Sequence, residues 1–273
     1  MRKSFLPSKK LFVISLLSAV VILPATYYLV QEKDAVSATL WDKLNCGICV
    51  FYLQPDDPQL FFDIGNYYFG GGAYNLEKAE YYLRQSLVID PGVAGAHYQI
   101  ARVHFIRGEF STALDEINKE IELHPDFKRS YYVRGLIYGY NRQFKEAEAD
   151  FKEFLRWKPE SWAGNNDLAW IYFQEGKYAE ARDAVRAGLK IAPDNPWLLN
   201  SLGVALLNTG DKEGAKNAFT RALAVLGSLS EADWGAAYPG NDPGVYAEGL
   251  SQMKASLETN LELLDGGDIN TPG

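Results

Sequence analysis

The chain has 273 residues, of which 47% are apolar and 23% are charged, and these values exclude a chain that is disordered throughout. Its formal net charge is −8, although the first ten residues carry four of the 27 basic side chains. The remainder is therefore strongly acidic, which argues against nucleic acid as a partner because nucleic acid is bound by clustered Lys and Arg.

The N-terminal segment has the pattern of a membrane anchor. Residues 11–30 contain no charged side chain, and 20 helical residues at about 1.5 Å each can cross a hydrocarbon core of about 30 Å. Since the basic residues 1–10 precede this run, the positive-inside rule predicts a cytoplasmic tail over 1–10 and a body outside the cytoplasm. This arrangement is typical of a bacterial-type envelope protein. The alternative is a signal peptide cleaved near Val36 and Ala38, although the apolar core of a signal peptide is usually only about 7–15 residues long.

The stretch that follows the anchor contains both cysteines of the chain, Cys46 and Cys49, in the spacing C-x-x-C. Three interpretations remain open: two small apolar core residues, a disulfide that an extracytoplasmic location would permit, or a redox or metal-binding pair. A structural zinc site needs four ligands, and no second ligand pair is visible in the sequence. We therefore predict no metal site and no cofactor.

Prolines recur every 34 residues in the next part of the chain, at Pro91, Pro125, Pro159 and Pro193. Small and aromatic residues recur with them at fixed places; in one block they are Gly135, Tyr138 and Ala147. On these residues the chain resembles the tetratricopeptide repeat family, whose period is 34 residues. The resemblance implies an all-α solenoid of helix hairpins that coils into a right-handed superhelix with a concave and a convex side.

Five blocks follow this register, and the first contains a two-residue insertion at its inner turn: 58–93, 94–127, 128–161, 162–195 and 196–229. Pro55 falls in the same register, so we interpret 31–57 as a stalk that ends in the second helix of a half repeat. Asp56 or Asp57 is predicted to cap the first full hairpin, with Pro58 at its first helical position.

The sequence after the last block predicts how the solenoid ends. Residues 230–243 are rich in turn-forming residues and are predicted to form a loop that holds Trp234 and Tyr238. Residues 244–264 carry an apolar stripe at helical spacing and are predicted to form a capping helix, since the ends of a solenoid need a polar outer face. Residues 265–273 are predicted to be a frayed tail.

In this family the first helix of each hairpin lines the concave groove. The resemblance therefore implies a peptide-binding groove whose side chains are mostly aromatic residues, amides and arginines: Phe62, Asn66, Phe69, Tyr98, Arg102, Phe105, Arg129, Tyr132, Tyr140, Asn166, Trp170, Phe173, Trp197 and Asn200. Side chains of these types are frequent at the energetic centres of protein interfaces. Some members of the family hold a C-terminal carboxylate in a clamp, but Phe62 and Val133 stand where that clamp has cations. A groove for apolar or aromatic peptide side chains fits the sequence better.

The chain shows no sequence motif of the common hydrolases, phosphate-binding loops, dinucleotide-binding folds or metalloproteases. We therefore predict a non-catalytic, membrane-anchored scaffold that binds protein or peptide segments in an extracytoplasmic envelope assembly. Two alternatives remain: an envelope thiol-handling factor that uses Cys46 and Cys49, and an oligomeric structural element of a surface or secretion complex.

Overall fold

The computed structural model describes residues 56–71, 74–237 and 246–266, and all regular structure in these ranges is helical. Its twelve α-helices are α1 (Pro58–Asn66), α2 (Leu76–Ile89), α3 (Ala96–Ile106), α4 (Phe110–Leu123), α5 (Arg129–Tyr140), α6 (Phe144–Trp157), α7 (Trp162–Gln174), α8 (Tyr178–Ile191), α9 (Pro196–Asn208), α10 (Lys212–Leu226), α11 (Glu231–Ala237) and α12 (Tyr246–Leu264). A π-helical turn, Tyr67–Gly71, continues α1 in the region of the predicted insertion.

The helix ends follow from the sequence. Asp57 caps α1, accepting hydrogen bonds from the backbone N–H groups of Gln59 at 3.0 Å and Leu60 at 3.2 Å, and Pro58 takes the first helical position, as predicted. Each of α2, α4, α6 and α8 ends two residues before one of the periodic prolines, because proline lacks the N–H that would continue the helix.

The helices pack as five consecutive hairpins from α1–α2 to α9–α10, and the second helix of each hairpin packs on the first helix of the next. Small residues allow the close approach within a hairpin. A Cβ added to Gly203 would lie 2.4 Å from a ring carbon of Phe219, and Ala113 and Ala215 are fully buried. This stacking buries four apolar clusters along the described solenoid, so each hairpin depends on its neighbours for stability.

The inner turns of the second to fifth hairpins each contain one residue in the left-handed region. Gly108, Gly176 and Gly210 take φ values of 75°, 74° and 89° at this place. Arg142 stands in the equivalent position of the third hairpin and has φ 61°. Glycine adopts such angles without steric cost, whereas a residue with a Cβ does not.

Replacing Arg142 by glycine is therefore expected to stabilise the protein by roughly 0.5–1 kcal/mol. Arg142 is exposed, so the substitution removes backbone strain without loss of core contacts. Chemical denaturation of the two proteins would measure the difference. The matched control is Arg186→Gly in the exposed middle of α8, which should destabilise by about 1 kcal/mol because glycine is a poor helix former. A loss of stability in Arg142→Gly would contradict the prediction.

The end of the solenoid differs in part from expectation. The predicted loop 230–243 contains a short helix, α11, so that prediction was wrong over Glu231–Ala237. The reason is a reciprocal cap: the Ser230 backbone N–H donates to Asp233 Oδ2 at 2.9 Å, and the Asp233 N–H donates to Ser230 Oγ at 3.3 Å. The helix α12 lies within the predicted capping range, buries Leu257 completely and packs on α10.

Several predictions concern residues outside the described ranges. They are the basic tail 1–10, the anchor 11–30, almost all of the stalk with Cys46 and Cys49, and most of the terminal tail. These stay predictions. Within residues 56–71, 74–237 and 246–266, no helix is both long enough and apolar enough to span a membrane.

Candidate functional site

A groove of about 640 Å³ opens between the first helices of the first three hairpins and the turn that joins α6 to α7. Aromatic, aliphatic and cationic side chains form most of its surface, together with an amide, a hydroxyl and a glycine. The lining residues are Asn66, Phe69, Gly70, Tyr98, Arg102, Phe105, Ile106, Arg129, Tyr132, Val133, Leu136, Phe154, Trp157, Lys158, Ser161, Ala163 and Ala237.

Half of the predicted groove residues border this cavity: Asn66, Phe69, Tyr98, Arg102, Phe105, Arg129 and Tyr132. The other predicted residues lie elsewhere: Phe62, Tyr140, Asn166, Trp170, Phe173, Trp197 and Asn200. The described structure contains no ligand, so the assignment of these side chains to binding stays a prediction. Their contacts nevertheless show which of them have surface left to offer a partner.

A chain of hydrogen bonds orders the N-terminal wall of the groove. Gln99 Nε2 donates to Asn66 Oδ1 at 2.6 Å, and Arg102 Nη1 donates to Gln99 Oε1 at 2.9 Å. The Arg102 guanidinium also lies over the rings of Phe69, 4.3 Å from the centroid, and Tyr98, at 5.6 Å. These contacts hold the guanidinium in one orientation at the cavity surface.

The charge of the groove has one sign. Arg102, Arg129 and Lys158 line it, and none of its lining residues is an Asp or a Glu. Burial lowers the pKa of Arg102, and the positive charge of Arg129 lowers it further. Two arginines of like charge therefore face the same space, in a protein whose net charge is −8.

One carboxylate lies next to the groove. Tyr132 Oη donates to Asp167 Oδ2 at 2.5 Å, which connects α5 to α7. Burial raises the pKa of Asp167 to about 6, even though hydrogen bonds from Tyr132 and Asn166 oppose this rise. Such a shift marks a group whose surroundings favour the neutral form, and shifts of this kind are frequent in functional sites.

Several of the predicted residues outside the cavity are held by packing. Trp170 lies against α5, where a Cβ on Gly139 would come within 2.5 Å of its ring, and Tyr140 packs on both Trp170 and Phe105 at ring distances of 5.1 and 5.3 Å. Phe173 packs on Tyr178, with ring centroids 5.3 Å apart. Tyr140 keeps 57% of its surface exposed, so it is the most available of these rings.

The predicted amides of α7 and α9 do not bond to each other. Asn166 Oδ1 accepts a hydrogen bond from Ser201 Oγ at 2.8 Å instead. Asn200 Oδ1 is buried and has no hydrogen-bond partner among the described residues.

The C-terminal end of the predicted groove is covered by the chain itself. The Trp197 ring packs between Trp162, at 5.9 Å, and Trp234 of α11, at 5.4 Å. Trp234 also fills the space that a side chain on Gly249 would need, and Ala237 reaches the large cavity. The accessible part of the groove is consequently its N-terminal half.

One wall of the cavity was not predicted from the sequence. It is formed by Phe154, Trp157, Lys158, Ser161 and Ala163. These residues lie at the end of α6 and the start of α7, whereas the family pattern directs attention to the middle of each first helix. A signal was present, because Trp157 occupies the place two residues before the periodic proline that Leu123 and Ile191 occupy in neighbouring blocks. All three side chains are substantially exposed, Trp157 by 49%.

The histidines of α3 lie outside the groove, where their ring nitrogens contact carboxylates. His97 Nδ1 is 2.5 Å from Glu116 Oε2, and His104, which is nearly buried, bonds to Glu80 and Glu109. Carboxylates on the solenoid therefore hold both imidazole rings in place.

Comparison with known proteins identifies the repeats. Models of the tetratricopeptide repeat family match residues 132–196 and 173–226. The two matches overlap and together cover residues 132–226. Proteins with tetratricopeptide repeats generally mediate protein–protein interactions and are generally not enzymes.

Similar proteins support the same fold. Anaphase-promoting complex subunit 3 of Schizosaccharomyces pombe is 22% identical over 160 residues, which is 58% of this chain and 24% of that protein. The chain spans between 24% and 34% of the length of the curated relatives that it matches.

Two solved structures show the likeness of fold. MamA residues 41–end from Desulfovibrio magneticus RS-1 superposes with a TM-score of 0.58 at 18% identity, over 64% of this chain and 98% of that one. YrrB, described as a tetratricopeptide repeat protein with an unusual peptide-binding site, superposes with a TM-score of 0.54 at 16% identity, over 66% and 92%. At these identities the likeness establishes the tetratricopeptide solenoid fold alone.

Proposed function

We propose that this protein is a non-catalytic scaffold that binds a protein or peptide segment in the groove between α1, α3, α5 and the α6–α7 turn. The observation that carries the proposal is an open groove of about 640 Å³ with aromatic walls and three cationic side chains, of which Arg102 is held over two rings. Aromatic and arginine side chains of this kind supply much of the binding energy of protein interfaces. The peptide-binding site named for YrrB, a protein of similar fold, agrees with this use of the solenoid.

We further propose that residues 11–30 anchor the protein in a membrane, with residues 1–10 in the cytoplasm and the repeats outside it, as part of an envelope assembly. The support is the uncharged run of 20 residues behind a basic tail. In a Gram-negative host, the full chain should stay with the membrane after a carbonate wash, and protease added to spheroplasts should digest the repeats. Protection of the repeats from that protease would contradict this orientation. An N-terminus beginning after Ala38 would show cleavage instead of anchoring.

Selection from a displayed random peptide library on the full chain in detergent would test the binding proposal. Peptides so selected are expected to lose affinity by about tenfold or more in Tyr132→Ala, because truncating a central aromatic anchor commonly costs more than about 1 kcal/mol. Trp170→Ala should weaken binding too, since its ring supports the α5 side of the groove. Tyr140→Ala, which removes a largely exposed ring, provides a variant with little risk to folding.

The matched control for these variants is Tyr81→Ala. Tyr81 is also aromatic and 47% exposed, but it lies on α2 and does not line the groove. Circular dichroism should show that all four variants are folded. Unchanged affinity in both Tyr132→Ala and Trp170→Ala would overturn the groove assignment.

A further inference from the structure

Two cations of the groove, Arg129 and Lys158, differ from many others on the described solenoid. Arg134 pairs with Asp150 through two hydrogen bonds of 2.7 and 2.8 Å, and Lys177 pairs with Glu148 and Glu175. Arg129 and Lys158, in contrast, make no side-chain hydrogen bond or ion pair within the described ranges. Their charges are therefore left for a group that the solenoid itself does not provide.

Repulsion between the positive charges of the groove also favours the binding of a negatively charged group. Arg102 and Arg129 come close enough for each charge to oppose the other, and Arg102 is half-buried. An anion bound between them would relieve this repulsion, and it would do so in a concave space where water screens charge less than on an open surface. The groove is therefore complementary to negative charge although the protein as a whole is acidic.

An apolar surface lies directly beside these charges. Trp157 is 49% exposed and precedes Lys158, while the rings of Phe105 and Tyr132 line the same groove from α3 and α5. Aromatic rings next to a cation suit a bulky apolar side chain that has acidic neighbours along its own chain.

We infer that the groove selects an extended peptide segment in which acidic side chains flank a bulky apolar residue, with Arg102, Arg129 and Lys158 facing the carboxylates and Trp157 facing the apolar side chain. This inference rests on the proposed binding function and specifies its ligand. The α11 helix limits the length of the segment, because Trp234 covers the C-terminal end of the groove and Ala237 reaches its edge.

The test uses fluorescein-labelled synthetic peptides and fluorescence anisotropy with the full chain in detergent. The acidic probe is a 12-residue peptide, amidated at its C-terminus, in which Asp and Glu flank a single Phe. Two further peptides serve as comparisons. In the neutral probe, Asn and Gln replace Asp and Glu. The third peptide has this neutral sequence with a free C-terminal carboxylate. At low salt the acidic probe is expected to bind about tenfold more tightly than the neutral probe. Added NaCl should weaken the binding of the acidic probe, because a shorter Debye length screens the attraction between opposite charges.

The double variant Arg129→Gln/Lys158→Gln should lower the affinity for the acidic probe by about tenfold and leave the neutral probe unaffected. Lys145→Gln/Arg186→Gln removes the same number of exposed charges outside the groove and should change neither affinity. Arg102 stays intact in these variants, because its contacts with Phe69 and Tyr98 contribute to the fold of the wall.

The outcomes separate the two proposals. Equal binding of acidic and neutral probes, or an equal effect of both double variants, would overturn the acidic selectivity while the groove could still bind neutral peptides through Tyr132. Preference for the free carboxylate over the acidic side chains would replace the inference by recognition of a chain terminus. Absence of binding by the acidic probe would refute the selectivity outright, and the library selection would then decide the fate of the groove itself.

Discussion

Glu116→Gln is expected to lower the free energy of unfolding at pH 7 by about 3 kcal/mol. Glu116 is 5% exposed between α3 and α4, and burial alone would raise its pKa. The hydrogen bond with His97 and the charges of Lys119, His97 and Arg84 overcome that effect and lower the pKa to about 2 from its ordinary value of 4.5. Glutamine has the same shape but carries no negative charge to pair with these cations.

The pH dependence follows from the direction of this pKa shift. Because the unfolded chain binds the proton more readily than the folded chain, the carboxylate stabilises the protein fully above pH 4.5, and this stabilisation is lost as the pH falls towards 2. Urea unfolding of both proteins between pH 7 and pH 3 would show the difference narrowing on acidification. Glu122→Gln is the matched control, since Glu122 is exposed on the same helix and has no side-chain partner in the described structure. Equal losses in the two variants would contradict the account of Glu116.

Asp167→Asn is expected to have the opposite effect and to stabilise the protein at pH 7.5 by about 2 kcal/mol. The pKa of Asp167 is raised by burial from 3.8 to about 6, so ionising the folded protein costs more than ionising the unfolded chain. Asparagine removes that cost and can keep the hydrogen bond with Tyr132, so the wall of the groove is retained. The expected stabilisation is smaller than the free energy that corresponds to the full pKa shift, because the side chain is partly exposed.

The sign of this effect can be checked by pH. The folded chain binds the proton more readily here, so the destabilisation by Asp167 is present above pH 6 and disappears below about 3.8. The advantage of Asp167→Asn should therefore shrink as the pH falls from 6 to 4. Asp115→Asn, an exposed position on α4, should show no such trend. A constant difference between Asp167→Asn and the parent protein across this range would contradict the prediction.

Residues with a local physical requirement could be predicted from the sequence. Glycine at the inner turns follows from the positive φ of that position, and the periodic prolines follow from the missing N–H at the helix end. Small residues such as Gly203 mark the close contact with a partner helix, which recurs in each hairpin. The same reasoning applies to Arg142, which is not a glycine although its backbone has the left-handed conformation of the equivalent glycines.

The candidate site could be predicted only in part. The first-helix positions identified Arg102, Arg129 and Tyr132 correctly as cavity-lining residues, because one helix face repeats in every hairpin. They did not identify the wall around Trp157 and Lys158, which arises where the end of one hairpin meets the start of the next. Nor did they show that Trp234 covers Trp197, since a segment after the repeats has no fixed register relative to them.

The sequence by itself determined an all-α solenoid, because each repeat satisfies the same short-range rules of turn, cap and helix contact. Only the tertiary structure decided which half of the groove is open, which cations of the described residues remain unpaired and which carboxylate has a pKa raised by burial. Those properties depend on contacts between residues 30 or more positions apart, such as that between Tyr132 and Asp167, and on the desolvation that packing imposes on each charge.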